Sequence, residues 1–145
     1  MTVVLASVAF WAHCELMLPG DDGKPEVVKY RARFKRLKRT ERVELERRMH
    51  ASRIAFDAAL RGEEAPASGA QPITDAQVLT LVLVDLDLKD KTGTRVMYTP
   101  TAVAELSEEW DGFEAATVMG YFNALKLQAS PQEAAKNSAP QSAML

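Results

Sequence analysis

Residues 10–35 read FWAHCELMLPGDDGKPEVVKYRARFK, and this stretch contains the pattern that decides the fold. On both sides of the PGDDGKP segment, apolar residues occupy every second position. This alternation is typical of β-strands with one buried face, and the proline, glycine and aspartate residues between them are typical of a tight turn. The sequence therefore predicts an antiparallel β-hairpin. Its apolar face is predicted to carry Phe10, Ala12, Cys14, Leu16, Leu18, Val28, Tyr30, Ala32 and Phe34.

The second strand of this hairpin is basic on its other face. The residues between the apolar positions are all cationic, and they are Lys29, Arg31, Arg33 and Lys35. Strand geometry places alternate side chains on one face, so these four cations form a row. The row fits a binding surface. It fits equally well a solvated face, because exposed strands, especially at sheet edges, are often charged so that other chains do not pair with them.

The chain after the hairpin predicts a first helix and a loop. Thr40 is predicted to be the N-cap, with acidic residues in the first turn, and an amphipathic stripe runs to about Arg61. The stripe consists of Leu45, Met49, Ser52, Phe56 and Ala59. Residues 62–72, GEEAPASGAQP, are rich in glycine, proline and alanine and predict a flexible linker.

Residues 74–90 fit two kinds of element. Their end alternates like a strand, but Thr74 or Asp75 suits a helix N-cap, and the length of the apolar run favours a buried helix. We therefore expect a helix here. Further on, Thr99 and Pro100 predict the start of a short helix over residues 100–109.

The last predicted helix follows Asp111, which forms a capping-box pattern with Glu114. These elements predict an α+β fold, in which an N-terminal antiparallel β-hairpin packs with three or four α-helices. Residues 2–9 supply a possible third strand. We expect residues 1–129 to form a single α+β domain and residues 130–145 to be a disordered C-terminal tail.

The composition limits the compartment and the partners. The 145-residue chain has a formal net charge of -2, yet residues 29–53 contain eleven Lys or Arg and only three acidic residues. Cys14 is the only cysteine, which excludes an internal disulfide and suits a reducing cytoplasm. No apolar run approaches the roughly 18 to 20 residues of a membrane span. We therefore expect a cytoplasmic protein with no membrane partner.

Residues with catalytic or metal-binding chemistry are sparse. Neither His13 nor His50 has another ligand at metal-site spacing, and Cys14 lies on the apolar face of its strand. The DLDLKDKTG segment at 85–93 alternates acidic residues like a calcium-binding loop, but Lys89 occupies the fifth position and Asp90 stands where the loop needs glycine. We predict no catalytic, cofactor-binding or metal residues, no cofactor, and a protein that is not an enzyme.

The segment YRARFKRLKRTERVELERRM, residues 30–49, resembles a pattern of the tail assembly chaperones of long-tailed bacteriophages and related prophages. The family pattern F-x-x-x-F-K-x-L is matched here by Tyr30, Phe34, Lys35 and Leu37, and Thr40 with Glu41 begins the charged helix. The segments VLTLVLVDLDLKDKTG, MYTPTAVAEL and FEAATVMGYFNALKL follow in the family's order. The resemblance covers residues 5–137, ending at Lys136 and Asn137.

This resemblance implies a phage or prophage protein that acts as a chaperone in viral tail assembly. Members of the family bind the long, helical tape measure protein, keep it soluble and help to recruit tail tube subunits during virion morphogenesis. They often form homo-oligomers, act in the host cell cytoplasm and are absent from the mature virion. The expected partners are therefore the tape measure protein, the tail tube protein and further copies of this chain.

Nine residues are the candidates for contacts with partners. We expect electrostatic contacts from Arg31, Arg33, Lys35 and Arg36. We expect apolar contacts from Trp11, Met17, Met97, Tyr98 and Trp110. Two alternative functions remain open at this point: a small nucleic-acid-binding regulatory protein that uses the basic strand, and a structural connector or tail-terminator component of the virion.

Overall fold

The fold is α+β, with a three-stranded antiparallel sheet and four helices. The computed structural model describes residues 8–67, 69–90 and 92–127. The elements in chain order are β1 (Ala9–Pro19), β2 (Pro25–Lys35), α1 (Arg39–Leu60), α2 (Asp75–Val82), β3 (Leu83–Asp87), α3 (Pro100–Glu109) and α4 (Phe113–Leu127). The predicted fold class is confirmed. The predicted tail at 130–145 and most of the predicted strand at 2–9 lie outside the described residues.

The predicted hairpin is confirmed as β1 and β2, which pair from Ala9 with Lys35 to Pro19 with Pro25. The amide of Gly20 donates to the carbonyl of Lys24 at 2.8 Å and closes the turn. Gly23 has a φ of 80°, a left-handed conformation that glycine adopts without a steric penalty.

The helix predicted over residues 74–90 is wrong beyond Val82. Helix α2 ends there, and the chain passes directly into β3, which pairs antiparallel with β2. The reason is the backbone of β2: Ala32 and Phe34 are completely buried, so their backbone polar groups need partners that water cannot supply. Strand β3 supplies these partners along the second edge of β2.

The strand order β1-β2-β3 places β2 in the centre of the sheet. The cationic row therefore does not lie on an edge strand of the complete sheet, because both edges of β2 are paired. The third strand of the sheet also comes from the second half of the chain, which the sequence predicted to be helical.

Two of the predicted helix starts are confirmed. The hydroxyl of Thr74 accepts a hydrogen bond from the Gln77 amide at 3.1 Å and caps α2. The hydroxyl of Thr99 accepts one from the Ala102 amide at 2.9 Å and caps α3. Each cap satisfies one of the backbone donors that have no partner within the first turn of a helix.

The other two helix starts differ from the prediction. Helix α1 begins at Arg39, so Lys38 and not Thr40 is the N-cap, and the Lys38 amide donates to the Glu41 carboxylate at 3.0 Å. Helix α4 begins at Phe113, which leaves Gly112 between Asp111 and the helix. Asp111 is therefore one residue too early to be the cap.

Helix α1 is buried only in part of the predicted stripe. Leu45 is 3% exposed, whereas Phe56, about one turn from the helix end, is 63% exposed. The loop that follows is fastened back along the helix: Arg47 donates to the Gly69 carbonyl at 2.9 Å and Arg48 to the Gln71 carbonyl at 3.0 Å. These two arginines of α1 therefore bind the loop and are not directed toward a partner.

The hydrophobic core lies between one face of the sheet and helices α2 and α4. Tyr121 of α4 packs edge-on against Phe34, with ring centroids 5.1 Å apart, and Phe113 stacks on Tyr30 at 5.7 Å. The Tyr30 hydroxyl lies 2.6 Å from the hydroxyl of Thr117, the one buried polar residue among the described residues. The prediction that Tyr30 and Phe34 are core residues is confirmed.

Helix α4 approaches β1 very closely at Gly120. A Cβ atom at this position would overlap the Cys14 sulfur and lie 3.1 Å from the His13 carbonyl oxygen. The absence of a side chain at Gly120 therefore sets how near the helix lies to the sheet.

Candidate functional site: the outer face of the sheet

The sheet face opposite the helices, here called the outer face, is the most distinctive surface of the protein. Its side chains are exposed or half-buried, and no described helix packs on it. This face carries Trp11, His13, Glu15 and Met17 from β1, Lys29, Arg31, Arg33 and Lys35 from β2, and Asp85 and Asp87 from β3. The predicted cationic row thus lies between two other strands, one of which is acidic.

Arg31 is neutralised by the neighbouring strand. Its Nη2 lies 2.7 Å from Oδ2 of Asp87, and its Nε lies 3.2 Å from the same oxygen. This hydrogen-bonded guanidinium lowers the pKa of the Asp87 carboxyl. A lowered pKa means that the pair persists into mildly acidic solution and is lost as the pH falls through the lowered value.

The other ion pairs of the outer face are longer. Lys29 Nζ lies 4.0 Å from Glu15, with both side chains largely exposed. Arg95, which follows the turn after β3, lies 3.8 Å from Asp85 and 4.0 Å from Asp87. Exposed pairs of this kind contribute little to stability, but they reduce the net charge that a partner would meet.

Trp11 lies among cations at the positive end of the outer face. The guanidinium carbons of Arg31 and Arg33 lie 5.0 Å and 6.0 Å from its ring centroid, within the range of cation–π attraction. Its side chain remains 37% exposed. Arg33 and Lys35 have no ion pair among the described residues, so their charge is available to a partner.

The opposite end of the outer face is apolar. Met17 and Val27 face each other across β1 and β2, and both are exposed. Met17 follows Trp11 by six positions along β1, so their Cα atoms are about 20 Å apart. An extended or helical segment that crossed the sheet along β1 would meet an apolar pair at one end and an indole ring with unpaired cations at the other.

The structure brings together five of the nine predicted contact residues. Arg31, Arg33, Lys35, Trp11 and Met17 all lie on the outer face. Their common origin is the alternation of side chains along β1 and β2.

Arg36 does not belong to this row. It follows the end of β2, and its guanidinium carbon lies 5.5 Å from the ring of Phe10, which packs against the core.

The three remaining predicted residues lie elsewhere. Met97 is 80% exposed in the segment that follows Arg95. Tyr98 is half-buried and its hydroxyl donates to the Leu83 carbonyl at 3.0 Å, so this side chain supports β3. Trp110 is also half-buried, with its ring centroid 6.5 Å from that of Phe113. Tyr98 and Trp110 therefore pack against the core and do not extend the outer face.

The sequence interpretation missed the acidic residues of the outer face. Asp85 and Asp87 were considered only as calcium ligands within a predicted helix. The signal for their true position is the alternation of VDLD at 84–87, which is typical of a strand. No sequence pattern predicted that Arg95 lies near both carboxylates, because its position depends on the turn that folds it back on β3.

The reactive groups of the described chain are buried or isolated. Cys14 is 2% exposed, which confirms the prediction of a buried thiol, and burial raises its pKa to about 11. A thiol with a raised pKa is a poor nucleophile at neutral pH. Among the described residues, no group of three or more His, Cys, Asp or Glu side chains is arranged to hold a metal ion.

We expect the protein to lose stability as the pH rises above 9. The unfolded chain releases the Cys14 proton near pH 9.0, whereas the folded chain retains it to about pH 11. Burial also raises the pKa of Tyr30 and of Tyr121. Each such group makes folding less favourable by up to about 1.4 kcal/mol per pH unit within its window.

Urea titrations below pH 9 and near pH 11 measure this loss. The Cys14→Ala variant serves as the control, because its free energy of unfolding should depend less steeply on pH over this range. Equal slopes for the two proteins would contradict the assignment to Cys14.

Two further findings bear on the class of protein. No helix within the described ranges is both long and apolar enough to cross a membrane. Comparison with protein-family models, with curated proteins and with solved structures finds no significant match to this chain.

Proposed function

We propose that this protein is a non-enzymatic tail assembly chaperone of a long-tailed bacteriophage or prophage. It would bind the tape measure protein in the host cell cytoplasm, keep it soluble and help to recruit tail tube subunits. The observation that supports this proposal is the outer face, where one whole side of the sheet carries apolar and cationic groups uncovered by any described helix. The resemblance of residues 5–137 to the chaperone family supplies the identity of the client.

The chemistry of the outer face fits a segment that carries both carboxylates and apolar side chains. Arg33 and Lys35 supply unpaired positive charge, and the exposed indole of Trp11 supplies apolar area beside it. A single contact of this size is weak. A long client with repeated segments would be retained by many such contacts, for which avidity gains of roughly 10² to 10⁴ are typical.

Binding of a single-stranded nucleic acid is the second candidate function. Trp11 lies on the same face as the cations, and an exposed aromatic ring between arginines is a platform on which bases stack. Against this function, Glu15, Asp85 and Asp87 place negative charge on the same face. We therefore rank the protein client first.

The test is co-expression with the tape measure protein encoded in the same genome. If the tape measure protein becomes soluble and elutes together with this chain, the chaperone proposal is supported. If it stays insoluble while this chain elutes alone, the proposal is wrong. Salt-dependent co-elution of DNA or RNA would support the second candidate in its place.

A double charge reversal on the outer face should weaken the client complex. We expect Arg33→Glu with Lys35→Glu to raise the dissociation constant roughly tenfold or more and to reduce its dependence on salt, because these two cations have no ion pair among the described residues. The matched control is Lys24→Glu with Lys126→Glu, which changes the net charge equally at exposed positions away from the outer face. Equal weakening by the control pair would assign the effect to net charge alone.

A further inference from the structure

The two edges of the sheet differ in how their backbone groups are satisfied. At the β3 edge, the Leu86 amide donates to the Asp85 carboxylate at 2.8 Å, and the Leu86 carbonyl accepts from Arg95 at 3.3 Å. The Leu88 carbonyl accepts from the Val96 amide at 2.7 Å. The groups with which an added strand would pair are therefore already bonded at this edge, and proteins commonly cover an exposed strand in this way.

The free edge of β1 is defined by the hydrogen bonds at the two ends of the hairpin. The Gly20 amide donates to the Lys24 carbonyl, and the Arg36 amide donates to the Val8 carbonyl. In the continuous register between these points, even-numbered residues of β1 bond to β2 and odd-numbered residues direct their backbone N–H and C=O groups away from it. The free edge therefore presents the backbone of Trp11, His13, Glu15 and Met17.

The β1 edge lacks the protection found at β3. No backbone hydrogen bond from another described residue reaches the free groups of these four residues. The 11 residues of β1 carry one charged side chain, Glu15, and no proline before Pro19, and their pairing with β2 contains no bulge. Charges, prolines and bulges are the usual means by which an edge strand resists pairing. This edge is therefore regular and open to a further strand.

Helix α4 borders the free edge on the side of the core. Phe113 and Tyr121 of α4 contact the aromatic rings of β2, and Gly120 approaches the His13 carbonyl at the β1 edge. A helix turns by about 100° per residue, so the side of α4 beyond Gly120, away from those two aromatic residues, carries Ala116. A strand added beside β1 would place half of its side chains next to this alanine, where small apolar residues fit.

We propose that the free edge of β1 binds an extended segment of another protein, which adds a strand to the sheet. In this mode of binding, main-chain hydrogen bonds provide affinity and alternate side chains provide specificity. Each of the four free residues exchanges two hydrogen bonds with the residue directly opposite in an antiparallel strand. The edge site adds to the contacts of the outer face and does not depend on the identity of the client.

The surroundings of the edge define the chemistry of the segment. The guanidinium carbon of Arg33 lies 6.0 Å from the Trp11 ring centroid, so an acidic residue opposite Trp11 meets a cation that has no ion pair among the described residues. Glu15 disfavours a second acidic residue in the middle of the segment. An apolar residue fits opposite Met17, which is 63% exposed. The intervening residues face α4 and are small and apolar.

The chain's own C-terminal residues do not have this chemistry. Residues 128–145 contain no valine, isoleucine, threonine or aromatic residue, and they contain two prolines, Pro131 and Pro140. Strands favour β-branched and aromatic residues, and proline lacks the amide that pairing requires. The composition of this segment therefore favours a segment from a different protein.

The probe for the test is the peptide acetyl-Leu-Val-Lys-Ala-Thr-Val-Glu-amide. In an antiparallel arrangement its first, third, fifth and seventh residues lie opposite Met17, Glu15, His13 and Trp11. We expect saturating peptide to slow hydrogen exchange of these four amides in the full-length protein at least tenfold, as measured by NMR. The alternate amides already bond to β2 and should change little. Docking of side chains on the outer face alone would not protect the edge amides.

Matched controls are available on the peptide and on the protein. Methyl groups on the third and fifth peptide nitrogens remove donors that face β1 and should raise the dissociation constant at least tenfold. Methyl groups on the fourth and sixth nitrogens point away from β1 and should have a much smaller effect. On the protein, Glu15→Pro removes a free-edge donor and should abolish binding, whereas Glu15→Thr retains the donor and should bind the peptide.

Three results would overturn the proposal. The first is exchange of the four edge amides that the peptide leaves unchanged. The second is equal binding of the two methylated peptides, a comparison that does not depend on the folding of any variant. The third is protection of the four amides in the free protein. Protection that grows with protein concentration would assign the edge to a second copy, and protection independent of concentration would assign it to another part of the same chain.

Discussion

Gly120→Val is expected to lower the free energy of unfolding by about 3 kcal/mol, at the upper end of the range for overpacking a core. The first atom of any side chain at position 120 overlaps the Cys14 sulfur, and the His13 carbonyl oxygen beside it belongs to the backbone of β1 and cannot rotate away. Helix α4 must therefore move off the sheet. Since α4 also carries Tyr121 and Phe113, the movement loosens the aromatic packing of the core.

The Gly120→Ala variant separates the steric effect from helix propensity. In an open helix this change would stabilise by about 1 kcal/mol, so any loss of stability measures the overlap itself. Combining it with Cys14→Ala, which removes the sulfur, should recover part of the loss. Asn123→Ala, on the exposed side of the same helix, is the control and should change stability by less than about 0.5 kcal/mol.

Thr117→Val is expected to lower the free energy of unfolding by about 1–3 kcal/mol. The Thr117 hydroxyl donates to the Phe113 carbonyl at 2.7 Å, and it therefore accepts the hydrogen bond from Tyr30 at 2.6 Å. Valine has the same shape but no acceptor, so the variant leaves the Tyr30 hydroxyl buried without a partner. Chemical denaturation of the two proteins at neutral pH measures the difference.

The partner substitution Tyr30→Phe should have a smaller effect, because Thr117 keeps its bond to the Phe113 carbonyl. The double variant Thr117→Val with Tyr30→Phe removes both hydroxyls. Its loss of stability should therefore be smaller than the sum of the losses in the two single variants. This coupling is specific to a direct contact. Additive losses would show that the two hydroxyls do not interact in solution.

The hairpin and two of the four helix starts were predicted correctly from local sequence patterns. The alternation on both sides of one turn defined β1 and β2, and the threonine caps defined the starts of α2 and α3. The strand β3 was predicted as helix because Thr74 or Asp75 suits an N-cap and the length of the apolar run after them favours a buried helix. A bulge in the pairing of β2 with β3 allows Leu83 and Leu86 both to be buried, which ordinary strand alternation would not.

The same non-local pairing limited the prediction of the candidate site. The cationic row and Trp11 follow from the hairpin alone, because the register of the two strands is set by the turn between them. The neutralisation of Arg31 by Asp87 depends on residues 56 positions apart in the chain. A local pattern contains no information about a contact of that separation, so the charge available on the outer face was overestimated.

The central position of β2 also has a consequence for synthesis on the ribosome. Arg33 of β2 pairs with Asp85 of β3, which the ribosome adds to the chain roughly fifty residues later. At translation rates of about 5–20 residues per second, this edge of the nascent hairpin stays bare for about 3–10 seconds. During that interval the alternating cations repel other nascent strands that would otherwise pair with it. The charge that later serves the outer face thus protects the chain before its fold is complete.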